Sequence, residues 1–141
     1  MDPSTKTLRD AGLRATAGRR TVLTTIASRG APLTHAEIAS ELTGLDPVTL
    51  YRILDSLERA GLVHRVHGLD GVWRYCPQPE RRGCPGNHVH FLCTTCGAMS
   101  CLVDQPLPRV TPPPGGRIDA RQFVVGGTCA RCSGAGVGDA G

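Results

Sequence analysis

The stretch Asp46-Pro47-Val48-Thr49-Leu50-Tyr51-Arg52-Ile53-Leu54-Asp55-Ser56-Leu57-Glu58-Arg59-Ala60-Gly61 decides the fold. An aspartate can accept a hydrogen bond from an unpaired N–H of a first helical turn, and a proline at the first helical position gives up an N–H that would be unpaired anyway. Leu50, Ile53, Leu54 and Leu57 then recur on one side, and Gly61 closes the helix. Working back along the chain, Thr34 is placed to cap a helix whose Ile38, Ala39 and Leu42 share a face before Gly44 ends it. Thr16 is placed to cap another, with Val22, Leu23 and Ile26 at helical spacing before Gly30. Working forward, Leu62 to Val66 and Val72 to Tyr75 read as short strands around the turn Gly68-Leu69-Asp70-Gly71. Helix, helix, tight connection, helix and hairpin predict a winged helix-turn-helix.

Length and composition limit what can accompany it. At 141 residues the chain suffices for one ordinary domain or two very small ones, which argues against a large enzyme with a deep cleft. Only 40% of residues are apolar and 4% aromatic, with 18 Gly and 11 Pro, so the core must be modest. The segment Met1 to Lys6 lacks the apolar run of a signal peptide, and no window approaches the ~18 apolar residues of a membrane span. A soluble cytoplasmic protein with no membrane partner is expected. The net charge of +4 is too small to argue for nucleic acid by itself. Its distribution is more telling, because Lys6, Arg9, Arg14, Arg19, Arg20 and Arg29 are set against only Asp2 and Asp10. That excess is either a solvated helical face or a surface for phosphates.

The pattern changes near residue 77, which predicts a winged-helix domain over 1–77, a separate cysteine-rich domain over 78–132 and a disordered tail over 133–141. Of the 7 Cys, all but Cys76 fall after that point, with most of the Pro. His88 to Cys93, Met99 to Val103 and Gln122 to Val125 read as strands, and Pro106, Pro108, Pro112, Pro113 and Pro114 with Gly115-Gly116 preclude a regular helix over 105–116. The expected class is therefore α+β, a winged helix-turn-helix followed by a small α/β or mostly β zinc-containing domain.

Cys93-x-x-Cys96 with Cys129-x-x-Cys132 is the sharpest chemical signal. Two such knuckles supply the closed tetrahedron of thiolates that structural zinc favours. A redox dithiol would call for a strand-to-helix setting that the pattern does not suggest. With so few apolar residues in this half, zinc would contribute folding energy directly. Cys76, Cys84 and Cys101 remain, alongside His88 and His90, which strand alternation puts on one face. His64, in the first wing strand, is a further candidate, and together these residues point to a second metal site shared between wing and C-terminal half. Imidazole with thiolate suits zinc better than manganese while tolerating iron, cobalt or nickel. No catalytic residue or small-molecule substrate is expected, since a zinc deaminase needs a Pro-Cys-x-x-Cys preceded by His-x-Glu, which does not occur.

On the third helix, Thr49 and Arg52 share a face opposite Leu50 and Leu54, which makes Arg52 the leading base reader. Tyr51 lies at the edge of that face, either touching DNA or packing in the core. The runs Leu8 to Thr16 with Arg19, Thr49 to Leu54, Ala60 to Val63, and His88-x-His90-x-x-Cys93-x-x-Cys96-Gly97 resemble the ferric uptake regulator family of metal-responsive bacterial repressors over roughly 5–132. The zinc-uptake branch is the most similar. Leu33 stands where iron regulators usually keep a histidine, and Cys76 stands where the family's sensing carboxylate ends the wing. The resemblance implies a homodimer on a palindromic operator in double-stranded DNA, with one structural and one regulatory zinc per chain. It implies a sensor drawn from His64, Cys76, His88, His90 and Cys101, DNA contacts by Tyr51 and Arg52, a backbone contact by Arg19, and Arg14 in the minor groove. Two departures stand out. The Pro-rich stretch replaces the family's dimer-interface helix, and an insertion containing Arg81, Arg82, Cys84 and Pro85 precedes the His pair, leaving Cys84 either a ligand or a bystander. A sensor of another divalent metal or of peroxide, and a zinc-ribbon module without DNA binding, are the alternatives.

Overall fold

Side-chain caps set the helix boundaries of the N-terminal half. In the computed structural model, which describes residues 2–77, 89–102, 105–119 and 122–134, Thr16 accepts from the N–H of Arg19 at the start of α2 (Ala17–Arg29), which ends at Gly30 in the left-handed conformation. Thr34 and Glu37 form a reciprocal capping box on α3 (His35–Ser40). Asp46 accepts from the N–H of Thr49 at 2.6 Å and caps α4 (Pro47–Arg59). That bond holds the Asp46 carboxyl below its usual pKa. Two details differ from expectation. α3 stops at Ser40 rather than running to Gly44, although Leu42 still packs on the core. An unforeseen helix α1 (Pro3–Asp10) precedes the rest, started by Asp2 as cap and Pro3 at its first turn, with Leu8 fully buried.

The wing consists of β2 (Val63–His67) and β3 (Trp73–Pro77), each displaced slightly toward the C-terminus from the predicted strands. A short β1 (Leu33–Thr34) joins the far edge of β3, giving the antiparallel order β1-β3-β2. Val22, Ile26, Ile38, Leu50, Leu54, Leu57, Val63 and Tyr75 form one core with Leu8. Each fully buried aliphatic side chain among them contributes about 1.5–3 kcal/mol.

The C-terminal unit is a second sheet. β4 (Val89–Cys93) pairs antiparallel with β5 (Met99–Leu102) on one side and parallel with β6 (Phe123–Gly127) on the other. Residues 105–116, free of helix as expected, belong to the proline-rich connection between β5 and β6, which pair with opposite edges of β4. The last described element is one turn of helix, α5 (Ala130–Ser133). Ser133, assigned to the tail from sequence, is the last residue of that turn and donates its N–H to Cys129 O at 2.8 Å. The described residues contain no helix long and apolar enough to cross a membrane.

Strand alternation makes the wing a wall between two cores. Val63 and Tyr75 face the helices, whereas Val66 and Cys76 pack with Leu92 and Met99 of the second sheet. Two polar clamps reinforce this contact. Gln122 both donates to His67 O at 2.7 Å and accepts from His67 N at 2.8 Å, as a strand neighbour would. Arg74, only 3% exposed, donates to both oxygens of Asp70 and, at 2.8 Å, to Gly97 O beside the first cysteine knuckle. A Cβ at Gly68 would run into this guanidinium, so glycine there leaves room for the clamp.

Hydrogen bonding from Arg74 holds the Asp70 carboxyl down at about 2 from 3.8. A carboxyl depressed on folding stabilises fully above its unfolded pKa, and that stability is lost as the pH falls through its folded pKa. Asp70→Asn is expected to lower stability by about 1 kcal/mol, a low figure because water screens a carboxylate this exposed. The loss should be equal at pH 7 and at about pH 5, both above the titration. Urea midpoints of the two proteins check this, and identical midpoints, or a gap that changes between those pH values, would contradict it.

Candidate metal centres and nucleic-acid interface

The first knuckle lies in the turn between β4 and β5, and the second spans the start of α5. Their four sulfurs, from Cys93, Cys96, Cys129 and Cys132, lie within 4.8 Å of one another. The N–H groups of Cys96 and Cys129 both donate to Cys93 Sγ at 3.4 Å. These bonds favour the thiolate and hold Cys93 down at about 6, while the hydrogen bond shared with Cys129 pushes Cys132 up to about 12. Four sulfurs this close cannot all carry charge without a cation, so the donor set suits a thiophilic dication in both geometry and charge. β6 followed by α5 does provide a strand-to-helix setting at Cys129, contrary to the sequence reading. A redox dithiol gains little from it, because the pair faces a second pair at metal-ligating distance.

The second group straddles the two sheets. His64 and Cys76 are register partners across β2 and β3, on the wing face turned toward the C-terminal unit. His90 reaches them from β4. The donor atoms of His64, Cys76 and His90 all lie within 4.8 Å of one another, and Cys76 and His90 are 0% and 1% exposed. Cys76 Sγ is 3.8 Å from His90 Nε2, and the rings of His64 and His90 are 5.9 Å apart, tilted by 59°. Cys101 sits opposite His90 in register and packs on the same apolar cluster, but it is outside the tight triad. His88 and Cys84 lie outside the described residues.

The candidate DNA contacts come from α4, α2 and the connection before α2. Thr49, Tyr51 and Arg52 are exposed on α4, and Tyr51 at 54% exposure stands clear of the core. Arg14 is exposed in the connection between α1 and α2, and Arg19 Nη1 donates to Arg14 O at 3.0 Å, which links the candidate minor-groove residue to the candidate backbone contact. Sequence reasoning missed His35, whose ring stacks on Tyr51, because alternation and capping do not reveal a contact between helices.

A winged helix joined through its wing to a small sheet, with cysteine and histidine donors gathered at two places, defines a winged-helix protein with two candidate metal centres. The chain belongs to the ferric uptake regulator family, whose model matches residues 10–112. It is 33% identical over 100 residues to ferric uptake regulation protein 1 of Mycolicibacterium fortuitum, a match that covers 66% of this chain and 56% of that protein. The chain thus spans little more than half of that relative's length. Among solved structures it resembles the Vibrio cholerae ferric uptake regulator, with a TM-score of 0.66, 19% identity and coverage of 89% of this chain and 98% of that one. It also resembles a zinc uptake regulator complexed with zinc and DNA, with a TM-score of 0.61, 18% identity and coverage of 97% and 99%.

Proposed function

We propose that this regulator senses zinc and, when loaded, represses genes for metal uptake as a homodimer on a palindromic operator. Residues 1–77 serve as the DNA-binding head and 78–132 as the metal-binding and dimerisation unit. One zinc is structural, held by Cys93, Cys96, Cys129 and Cys132. The other is regulatory, held by His64, Cys76 and His90, with His88 or Cys101 completing the set. The carrying observation is that His64 and Cys76 come from the wing and His90 from the second sheet. An ion bound there ties the head to the C-terminal unit and favours one arrangement of the pair. Mixed imidazole and thiolate supports zinc over manganese or magnesium. Arg52 and Tyr51 read bases in the major groove, Thr49 assists on the same face, Arg19 contacts the backbone and Arg14 enters the minor groove.

The test begins with protein stripped by mild chelation and a duplex enriched from a random pool by the zinc-loaded protein. Zinc is expected to restore selective binding at lower free concentration than iron(II) or manganese(II), with one zinc per chain surviving the chelation. Equal activation by iron(II) would make the protein an iron sensor. Failure to enrich any duplex would leave a zinc-ribbon module without a DNA role.

A further inference from the structure

We infer that His35 is a positioning residue for base reading, fixing the ring of Tyr51 in one orientation on the DNA-facing surface. This rests on the reading of Tyr51 as a DNA contact. The two rings lie face to face, with centroids 3.8 Å apart and planes inclined by 17°. Tyr51 is 54% exposed, so His35 covers part of the ring while the remainder stays open to a partner.

An exposed tyrosine on a helix would otherwise exchange among rotamers, and its ordering would oppose binding. There is room for the ring to move. Between α4 and the wing lies a cleft of about 640 Å³ lined by Tyr51, His35, Asp55, Glu58, Trp73 and Tyr75. A Tyr51 ring that left His35 could turn into this cleft and away from DNA.

His35 is well anchored for this task. It is the first residue of α3, directly after the Thr34 cap, whose box with Glu37 closes that helix end. Leu33 and Thr34 pair with Tyr75 and Arg74 of the wing, and Ile38 is fully buried one turn further on. The His35 backbone is therefore tied to the helical core and to the wing together. Its Nε2 is enclosed and has no hydrogen-bond partner among the described residues, and its flat ring face meets Tyr51. The consequence is selective. A fixed phenol ring strengthens contact with a particular base edge or thymine methyl, whereas contacts to phosphates elsewhere are unaffected.

The experiment is a double-mutant cycle on zinc-loaded full-length protein, using fluorescence anisotropy with the enriched duplex and a scrambled duplex of equal length. Tyr51→Ala should weaken binding to the enriched duplex by about tenfold or more, and His35→Ala by about five- to tenfold, with the scrambled duplex barely changed. In the Tyr51→Ala background, His35→Ala should cost nothing further. His35→Phe, which keeps a flat ring at the same place, should retain wild-type affinity within about twofold. An equal His35→Ala loss in both backgrounds, or failure of phenylalanine to substitute, would overturn the inference while leaving Tyr51 a DNA contact. A Tyr51→Ala protein that binds normally would overturn the underlying reading, and the inference with it.

Discussion

Cys96→Ser and Cys129→Ser are expected to unfold the C-terminal unit while the helical head stays folded. The four sulfurs meet from opposite ends of that unit, within 4.8 Å of one another. Without them little remains to hold it. Among the described residues its own buried apolar side chains are Leu92, Cys93 and Met99, and each fully buried one of this size contributes about 1.5–3 kcal/mol. Ordering the backbone costs about 1–2 kcal/mol per residue, so a sheet of this size cannot stand on that burial alone. A structural zinc in a small domain contributes about 10–16 kcal/mol of apparent binding energy, enough to decide the sign. The head differs because Leu8, Val22, Ile26, Ile38, Leu50, Leu54 and Leu57 form a continuous core of their own. Thermal melting followed by circular dichroism should therefore show strand signal lost at room temperature, helical signal retained, and both zinc ions lost, since His90 of the second site lies on β4 of the unfolded unit. A variant that keeps its wild-type melting profile and its quaternary state would show that the cysteines are not structural.

What could be read from the sequence follows the range of the interactions involved. Caps are local, so Thr16, Thr34 and Asp46 marked three helix starts correctly. Alternation and Cys-x-x-Cys spacing are local too, and they located every described strand except β1 and singled out four cysteines whose sulfurs lie within 4.8 Å of one another. α1 has a cap and an N-terminal proline, but its buried residues are only Ser4 and Leu8, so its apolar pattern is faint. β1 consists of two residues and exists through pairing with β3. The parallel pairing of β4 with β6 spans the proline-rich segment and has no local signature. Arg74 illustrates the limit best. Arginine is ordinarily a surface residue, and nothing beside it in the chain marks it as the buried link between the wing turn and Gly97. All three triad residues were legible as candidates for a second site shared between wing and C-terminal half, but spacing offered Cys101, Cys84 and His88 beside them and could not tell which complete it.

Cys76→Ala and His90→Ala are expected to abolish the zinc response of DNA binding without removing the tightly held zinc. Both side chains lie at the contact between the sheets, so an ion bound by His64, Cys76 and His90 can form its full set of bonds only when wing and C-terminal unit are together. Zinc then favours that arrangement by its differential affinity for it, and the position of the heads follows. Couplings of this kind typically change affinity by about 5- to 150-fold, which is the ratio expected between zinc-loaded and stripped wild type on the enriched duplex. Either substitution should bring that ratio close to unity. The cysteine tetrahedron shares no ligand with the triad, so the retained zinc and the melting of the C-terminal unit should change little, in contrast to Cys96→Ser. Cys76→Ala removes only a sulfur and leaves a small cavity, so it separates loss of sensing from loss of packing better than His90→Ala does. Thiols and imidazoles must lose protons to bind the ion, so the zinc concentration for half-activation of wild type should rise as the pH is lowered. The measurement is a zinc titration against labelled duplex for wild type and both variants, with zinc content determined in parallel. Activation persisting unchanged in both variants would place the switch outside the triad, and loss of all bound zinc together with the response would mean that the two centres are not independent.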